Sequence, residues 1–466
     1  MSDSPPTTIE IMDFSFRMLK IARPTVRLSI LLLALLVCVS CGDVFRPIAI
    51  PIIPTPPNPA GFHTVFVLSN NGSSDPGSSF AINVSGDTDT GVAKTGIAPV
   101  HAAILPNLSR IYIANSGEDT LSTYAPSSFT NVTTISLPAG SKPSFVGTAQ
   151  NDVIYVADTG LNTVSLVSTS SNIVTKTLAV GANPVALAET PDSKQVFVVN
   201  QGDNTVSLIS TTDNTVVRAI PVGVAPVAAV ARFDSQRAYV LNRDSGTVSV
   251  IDTTLATDVS QNPVISSATV GVGANFMFYD QHLSRLYVVN PTTRQVPVLD
   301  ISKDPPIALP TIDLGAGPSP PCPAGCVVSA VTALVDGTRA YVVSYQQSAT
   351  CAVTTDTPPC ISTNVTVVST TGNSIIKTIN VDPGGTGEVT AVPACDPARF
   401  RRFIVASGDT SRVYVSNCDA GNAAIIRTSD DTYVLNLTAP NGILSPTAPP
   451  GAQPPPQNPV FILVGN

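Results

Sequence analysis

One short pattern recurs along most of this 466-residue chain and limits the folds it can adopt. The pattern is an apolar residue, an aromatic residue, Val or Ile, one further residue and then usually Asn. Its eight copies are marked by the aromatic residues Phe66, Tyr112, Tyr155, Phe197, Tyr239, Tyr287, Tyr341 and Tyr414. Successive aromatic residues are 46, 43, 42, 42, 48, 54 and 73 positions apart. A period of this length indicates repeated units that bury their apolar faces against one another.

Each unit predicts four short antiparallel strands. After the copy at Phe197, a polar turn at residues 201–204 precedes an alternating segment at 205–209. A third such segment follows at 216–223, and residues 226–230 begin the next unit. Alternation of this kind between Gly-containing turns is typical of β-hairpins. Four strands in about 42 residues is the size of one blade of a β-propeller, so the sequence predicts an all-β fold.

The repeat also resembles the YVTN family of β-propeller repeats. That family combines Tyr-Val-x-Asn, Thr-Val-x-Val-Ile and Val-Gly-x-x-Pro, which occur here most clearly between Asp152 and Asp252. The resemblance covers residues 63–466 and implies a propeller displayed on the cell envelope, as in surface-layer proteins with such repeats. It does not imply a particular ligand.

The two ends of the repeat region predict how the ring closes. The first unit begins at the strand around Phe66 without a preceding inner strand, while the chain ends in an isolated apolar segment at 459–464. A propeller must cover its open sheet edges, so we expect this last segment to complete blade 1. Eight copies of the pattern predict eight blades; seven would result if the unit containing Tyr414 packed irregularly.

The N-terminus has the order of a secretory signal. Lys20, Arg23 and Arg27 precede an apolar run at 28–39, which is too short to span a bilayer comfortably. Residues 38–41 resemble the lipobox of bacterial lipoproteins, although Cys38 stands where that motif usually has Leu. The resemblance implies acylation of Cys41; plain cleavage and an uncleaved anchor are the alternatives.

These features divide the chain into three predicted parts. They are a signal peptide at 1–41, a proline-rich tether at 42–62 and the propeller with its insertions at 63–466. We therefore expect an exported protein held in the membrane of the bacterial cell envelope by the acylated Cys41. It would face the periplasm or the cell surface.

Six cysteines lie in the last third of the chain. An even number in an exported protein predicts disulfides, although six cysteines allow 15 pairings. We expect the local pairs Cys322–Cys326, Cys351–Cys360 and Cys395–Cys418. These six cysteines include no Cys-x-x-Cys pair and have no histidine nearby, which argues against a metal site.

Few residues suggest chemistry, and we assign no catalytic residue, metal ligand or cofactor. His101 follows Pro99-Val100 at the start of a predicted inner strand and is a weak candidate for the mouth of the channel. His282 lies in a predicted turn. The acidic pairs 118–119 and 430–431 would suit calcium, although solvated turn residues are the preferred interpretation.

Arginine precedes the repeated aromatic residue by two positions in five units. These residues are Arg110, Arg237, Arg285, Arg339 and Arg412. We interpret them as surface charges on turns, with an anion-binding rim as the alternative.

Two function classes follow from the sequence. A net charge of -8 without clustered Lys and Arg argues against nucleic-acid binding. The first hypothesis is a non-enzymatic binding or scaffold module with an envelope protein or glycan as partner, recognised by the insertions at 305–326, 346–360 and 381–402. The alternative is a propeller enzyme, such as a lactonase or a quinoprotein-dehydrogenase-like subunit. An enzyme would require carboxylates, histidines or a metal that converge at the channel mouth.

Overall fold

The computed structural model describes residues 64–72, 75–147, 152–348, 360–381, 389–392, 395, 401–439 and 458–464. The strands of these residues form eight sheets, which are the eight blades of a β-propeller. The predicted all-β fold and the blade number are confirmed. The expected signal peptide, Cys41 and the tether lie outside the described residues. Within the described residues, no helix is long and apolar enough to cross a membrane.

The strands follow the repeat along the chain. The first nineteen are β1 (Thr64–Ser69), β2 (Pro76–Asn83), β3 (Thr88–Ile97), β4 (Pro99–Ile104), β5 (Ile111–Asn115), β6 (Thr120–Ala125), β7 (Ser128–Ser136), β8 (Pro143–Gly147), β9 (Val153–Asp158), β10 (Thr163–Ser168), β11 (Ile173–Ala179), β12 (Pro184–Glu189), β13 (Gln195–Asn200), β14 (Thr205–Ser210), β15 (Thr215–Pro221), β16 (Pro226–Ala231), β17 (Arg237–Asn242), β18 (Thr247–Asp252) and β19 (Val264–Thr269). The others are β20 (Phe276–Asp280), β21 (Arg285–Val289), β22 (Gln295–Asp300), β23 (Ile307–Asp313), β24 (Cys326–Ala333), β25 (Arg339–Ser348), β26 (Cys360–Ser369), β27 (Ser374–Asn380), β28 (Val389–Thr390), β29 (Arg402–Ala406), β30 (Arg412–Asn417), β31 (Asn422–Arg427), β32 (Thr432–Thr438) and β33 (Pro459–Val464). One short helix, α1 (Thr253–Ala256), separates β18 from β19.

Blades 2 to 8 use consecutive strands, with the first at the centre of the ring, whereas blade 1 combines both ends of the chain. Its sheet order is β3-β2-β1-β33. The last strand pairs antiparallel with β1, so that Val65 lies opposite Val464 and Ser69 lies opposite Pro459. The C-terminal strand thus completes blade 1 as expected, and this pairing covers the edge of β1.

The repeated Asn, Thr, Ser and Gly form one hydrogen-bonded unit near the end of each regular blade. In blade 4, Asn200 Nδ2 donates to Thr205 Oγ1 at 3.0 Å and to Ser207 Oγ at 2.9 Å. The same Ser207 oxygen accepts from the backbone N–H of Gly181 in blade 3 at 3.3 Å. A Cβ at Gly181 would lie 2.5 Å from Asn200 Nδ2, so this position requires glycine. Asn115 and Asn242 make the same pair of bonds in blades 2 and 5.

The repeated aromatic residues pack between blades and do not surround a site. Tyr112 and Tyr155 are buried, and their hydroxyls reach into the next blade. Tyr112 donates to Asn172 Oδ1 at 2.8 Å, and Tyr155 donates to Asn214 Oδ1 at 2.9 Å. These contacts join the apolar layers on the two sides of each blade interface.

The repeated arginines differ from the expected surface charges because they connect neighbouring blades. Arg237 of blade 5 contacts Asp304 of blade 6 at 2.9 Å, and Arg339 of blade 7 contacts Asp431 of blade 8 at 2.8 Å. Arg285 of blade 6 donates to a backbone carbonyl of blade 7. Arg412 of blade 8 contacts Asp87 of blade 1 at 3.0 Å, across the closure of the ring. Four of the five predicted rim charges are therefore used within the fold.

The last blades carry the insertions and the disulfides. Cys322 is bonded to Cys326 and Cys395 to Cys418, two of the three expected local pairs. Cys360 is also disulfide-bonded, whereas Cys351, its expected partner, lies outside the described residues. In blade 7, the additional strand β28 pairs with β26.

Candidate functional site

The eight inner strands surround a central channel. They are β33, β4, β8, β12, β16, β20, β24 and β29, and each lies beside the inner strand of the next blade. All run in the same direction along the channel. We call the end at which they begin, near Pro99, Pro143 and Pro184, the mouth, and the opposite end the far end.

A cavity of about 700 Å³ lies at the mouth, between blades 2 and 6. We call it the mouth cavity. Two repeated positions supply most of its wall. The second residues of four inner strands are Val100, Ser144, Val185 and Val227. The residues after the repeated Asn or Asp are Ser116, Thr159, Gln201 and Arg243. Lys142, Pro143 and Asn275 complete the wall.

The wall combines hydroxyl, amide, aliphatic and cationic side chains. Lys142 and Arg243 are its charged members, and the described residues of the wall include no carboxylate and no imidazole. The cavity is therefore suited to hydrogen bonding and to attraction of negative charge, and it lacks a visible acid-base pair.

Hydrogen bonds hold several wall residues in place. Ser116 Oγ donates to the carbonyl of Ala98 at 3.0 Å, and Thr159 Oγ1 donates to that of Lys142 at 2.8 Å. Gln201 Oε1 accepts from Asn183 Nδ2 at 2.9 Å. Each bond joins the residue after the repeated Asn or Asp to the segment that enters an inner strand. The wall is thus largely formed before any ligand arrives, as is common in binding sites.

Two acidic residues near the cavity are already engaged. Asp244 contacts its neighbour Arg243, with 2.7 Å between Oδ1 and Nε. Asp119 accepts from the backbone N–H groups of Gly140 and Lys142 at 2.7 and 2.8 Å. Burial alone would raise the pKa of Asp119, but these hydrogen bonds outweigh it and hold the pKa below its usual value. Asp119 is therefore a fixed part of the link between blades 2 and 3.

Aromatic side chains from five blades form a series of ring contacts around the channel near its mouth. We call these residues, His101, Phe145, Phe461, Phe403 and Phe276, the aromatic belt. Ring centroids of His101 and Phe145 are 3.8 Å apart and stacked, and those of His101 and Phe461 are 4.7 Å apart. Phe403 continues the belt to Phe461 at 4.7 Å and to Phe276 at 5.8 Å.

The belt explains where the structure places the weak candidate His101. Its ring lies between two phenylalanine rings, and its Nδ1 accepts from the backbone N–H of Val146 at 3.4 Å. Val100, the preceding residue, lines the mouth cavity. His101 is thus close to the cavity along the chain, and its visible contacts are those of a packed ring.

Most of the other candidate groups lie at the far end, whereas Glu118 lies at the mouth end, in the turn that follows Ser116. Burial raises the pKa of Glu189 to about 7, but Glu189 ends β12 at the far end. His282 follows β20 at the same end. Of the acidic pairs, Glu118 accepts a hydrogen bond from the Thr120 hydroxyl. Asp431 accepts hydrogen bonds from Arg339 and Tyr341 of blade 7. Within the described residues, no three His, Cys, Asp or Glu side chains are placed to share a metal ion.

Blade 8 contributes a buried ion cluster to the channel. Arg401 Nε and Arg402 Nη1 donate to Asp419 Oδ2 at 2.9 and 2.7 Å, and Arg402 Nε donates to Thr363 Oγ1 at 2.8 Å. Burial opposes ionisation of Asp419, but the two guanidinium groups and the N–H of Val392 keep its pKa below the usual value. The cluster joins blades 7 and 8.

A second cavity, of about 620 Å³, lies away from the channel. Outer-strand residues of blade 4, such as Arg218 and Pro221, and residues of blade 5, such as Gln261 and Ser267, form its wall. Arg218 Nη1 donates to the carbonyls of Asp258 and Gln261, so its charge serves the packing of the segment that follows α1.

Sequence reasoning missed the mouth cavity, although the repeat contains a signal for it. The residue after the repeated Asn or Asp changes from Ser116 to Thr159, Gln201 and Arg243, while a glycine follows it in three of these four units. This variable position on a constant scaffold faces the cavity. The insertions that we expected to carry recognition lie on later blades, and parts of them fall outside the described residues.

Comparisons with known proteins support the fold alone. No family model and no curated protein matches this chain. The periplasmic gluconolactonase of Pseudomonas aeruginosa is similar in structure, with 13% identity and a TM-score of 0.52 over 86% of this chain and 98% of that chain. A putative 6-phosphogluconolactonase from Bacteroides uniformis has 12% identity and a TM-score of 0.49 over 70% and 96%. The hydrazine synthase of Kuenenia stuttgartiensis has 15% identity and a TM-score of 0.47 over 64% and 86%. The chain is therefore similar to several β-propeller proteins, and the shared feature is the propeller.

Proposed function

We propose that this protein is an exported lipoprotein of the bacterial cell envelope whose propeller is a non-enzymatic binding module. Its ligand binds in the mouth cavity. The carrying observation is the cavity wall, which offers hydroxyl, amide, aliphatic and cationic groups without a carboxylate or an imidazole among the described residues. Such a wall favours recognition over acid-base catalysis.

The ligand class that fits this wall is a glycan. Sugar rings present many hydroxyls together with small apolar faces, and the wall alternates polar residues such as Gln201 and Asn275 with aliphatic residues such as Val185 and Val227. A cavity of about 700 Å³ is within the range of small-ligand sites. An envelope glycan is also the partner that the expected localisation would provide.

The position of the N-terminal entry supports a display role. The chain enters β1 at Thr64, which lies at the far end, because β1 pairs antiparallel with β33 and β33 begins at the mouth. A tether at 42–62 would therefore join the propeller at the end opposite the mouth. The resemblance to YVTN repeats supports the same display role.

A lactonase is the second candidate, because the gluconolactonase of Pseudomonas aeruginosa shares the propeller fold. Lactone hydrolysis needs a group that activates water and a group that stabilises the developing negative charge. Lys142 and Arg243 would serve the second role. The first role lacks a residue in the described wall, so we rank this function below binding.

Calorimetric titration of the full-length protein in detergent tests the proposal. The ligands are neutral and acidic oligosaccharides and peptidoglycan fragments, and the variant Thr159→Trp places an indole in the mouth cavity. The exposed Lys303 lies outside the cavity wall, so Lys303→Trp is the matched control. We expect at least one glycan to bind to the wild type and the control, and Thr159→Trp to weaken it by ten-fold or more.

Two outcomes would contradict the proposal. One is glycan binding that Thr159→Trp leaves unchanged, which would place the ligand elsewhere. The other is hydrolysis of glucono-lactone that the wild type and Lys303→Trp perform and Thr159→Trp loses. That result would make the mouth cavity an active site.

A further inference from the structure

We infer that the ligand of the mouth cavity is an acidic sugar, a hydroxylated ring that carries a carboxylate. The carboxylate binds Lys142 and Arg243, and the ring hydroxyls bind the neutral polar wall. This inference rests on the proposed function and adds the chemical class of the ligand.

The first support is the sign of the charges in the wall. The whole chain has 24 Lys and Arg against 32 Asp and Glu, yet the charged residues of the described wall are both cations. They come from different blades, since Lys142 precedes β8 of blade 3 and Arg243 follows β17 of blade 5. Two cations from different blades can contact one anionic ligand at two points and so fix its orientation.

The second support is the bonding of the nearby acids. Asp119 is held mainly by the backbone N–H groups of Gly140 and Lys142, and the Lys142 ammonium adds a weaker attraction to it. Asp244 engages Nε and Nη2 of Arg243, an arrangement that leaves Nη1 on the other side of the guanidinium. Both side chains of this pair are more than 40% exposed, so a ligand carboxylate can compete in this solvated pair.

The third support is the neutral part of the wall. Gln201 and Asn275 present amides, and Ser144 and Thr159 present hydroxyls. Thr159 Oγ1 donates its proton to a carbonyl, so its lone pairs remain available to accept from a sugar hydroxyl. Val185 and Val227 provide an apolar surface for the face of the ring. A ligand with one carboxylate and several hydroxyls satisfies both parts of the wall.

Titration with tri-galacturonate and with its methyl ester tests the inference on the full-length protein in detergent. The ester keeps the rings and hydroxyls and removes the negative charge. We expect the ester to bind at least ten-fold more weakly than the acid, because each lost contact is a charge-assisted hydrogen bond. Galacturonate monomer is a third probe, and weaker binding of the monomer would identify a polymer rather than a free sugar acid as the source.

Charge-removing variants locate the effect. Lys142→Gln and Arg243→Gln should each weaken binding of the acid by ten-fold or more and weaken binding of the ester by a much smaller factor. Lys303→Gln removes an exposed positive charge outside the cavity wall and should change neither affinity. Affinity for the acid should also fall as salt rises from 50 to 500 mM, and this dependence should be weaker in Lys142→Gln.

The outcomes separate the two proposals. The acidic-sugar inference is overturned if the acid and the ester bind equally well. It is also overturned if the Lys142→Gln and Arg243→Gln variants bind the acid as tightly as the wild type. If a neutral glycan binds instead and Thr159→Trp abolishes that binding, the binding function stands and this inference fails. If no glycan of either kind binds at the mouth, both fail.

Discussion

Blades 4 and 8 solve the same packing problem beside the channel mouth in different ways. In blade 4, Pro184 begins the inner strand opposite Asn200, whose amide is satisfied by Thr205 and Ser207. In blade 8, Arg402 begins the inner strand opposite Asn417. In this blade Asn417 Nδ2 donates to Asn422 Oδ1, and Arg402 forms a buried ion pair with Asp419.

The difference shows which parts of the repeat tolerate change. A neutral amide and hydroxyl network loses about 1 kcal/mol when one hydrogen bond is removed. A buried ion pair that loses one partner leaves an uncompensated charge, which costs about 3 to 5 kcal/mol. The regular blades can therefore vary their mouth residues at small energetic cost, whereas blade 8 depends on a specific charge.

The largest effect should come from Asp419→Ala. Asp419 is the buried carboxylate that Arg401 and Arg402 share, so its removal leaves two buried guanidinium groups without it. We expect the free energy of unfolding to fall by about 4 kcal/mol. Denaturation in guanidinium chloride, followed by far-UV circular dichroism, measures the loss.

The control is Asp244→Ala, which removes the acid of a solvent-exposed pair with Arg243. It should change stability by less than about 1 kcal/mol. Because the folded-state pKa of Asp419 is lowered, its stabilisation exists above the unfolded pKa and disappears as the pH falls through the folded value. The wild type should therefore lose its advantage over Asp419→Ala in acid; an equal advantage at pH 2 and pH 7 would contradict the ion-pair account.

The fold could be predicted from the sequence where the repeat supplies a comparison. Spacing of the aromatic residues predicts eight blades, and the isolated segment at 459–464 predicts the closing strand, because both depend on local periodicity. Helix α1 and strand β28 were missed because they lie in insertions that no other repeat matches. The arginine links were also missed: Arg412 and Asp87 are 325 positions apart, and no local pattern connects them.

The site could be predicted only in part. The sequence named His101 as a candidate near the mouth. The preceding residue, Val100, lines the mouth cavity. The cavity itself arises where Ser116, Thr159 and Gln201 of different blades converge, and this convergence depends on the angle between blades. Sequence alone shows that the position varies and does not show that its members face one space.

A smaller and opposite effect should come from Asp158→Asn in blade 3. Asp158 occupies the place of Asn200, and Thr163 and Ser165 donate to its Oδ2 at 3.2 and 2.6 Å. Burial raises the pKa of Asp158 to about 6, so its ionised form destabilises the folded state. Restoring the Asn of the repeat should increase stability by about 2 kcal/mol at pH 7.5.

The pH dependence identifies the cause. A carboxyl whose folded pKa is raised weakens the fold as the pH rises from about 4 to above 6, because the unfolded chain ionises first. The stability of Asp158→Asn relative to the wild type should therefore increase over this window. Asp152→Asn removes the same charge at an exposed position and should keep the wild-type slope. If the stability of Asp158→Asn changed with pH as steeply as that of the wild type, the pH effect would belong to another group.

The smallest effect should separate two tyrosines of the repeat. Tyr112→Phe removes the hydroxyl that donates to Asn172 between blades 2 and 3, so we expect a loss of about 1 kcal/mol. Tyr414 of blade 8 is equally buried, but its hydroxyl oxygen has no hydrogen-bond partner among the described residues. Tyr414→Phe should therefore leave stability unchanged or raise it slightly, since no bond is lost and no polar group is left buried.

The midpoints of paired denaturation curves decide between these results. A loss of 1 kcal/mol in both variants would mean that the two hydroxyls are equally satisfied, and the contrast between the regular blades and blade 8 would then be confined to their charged residues.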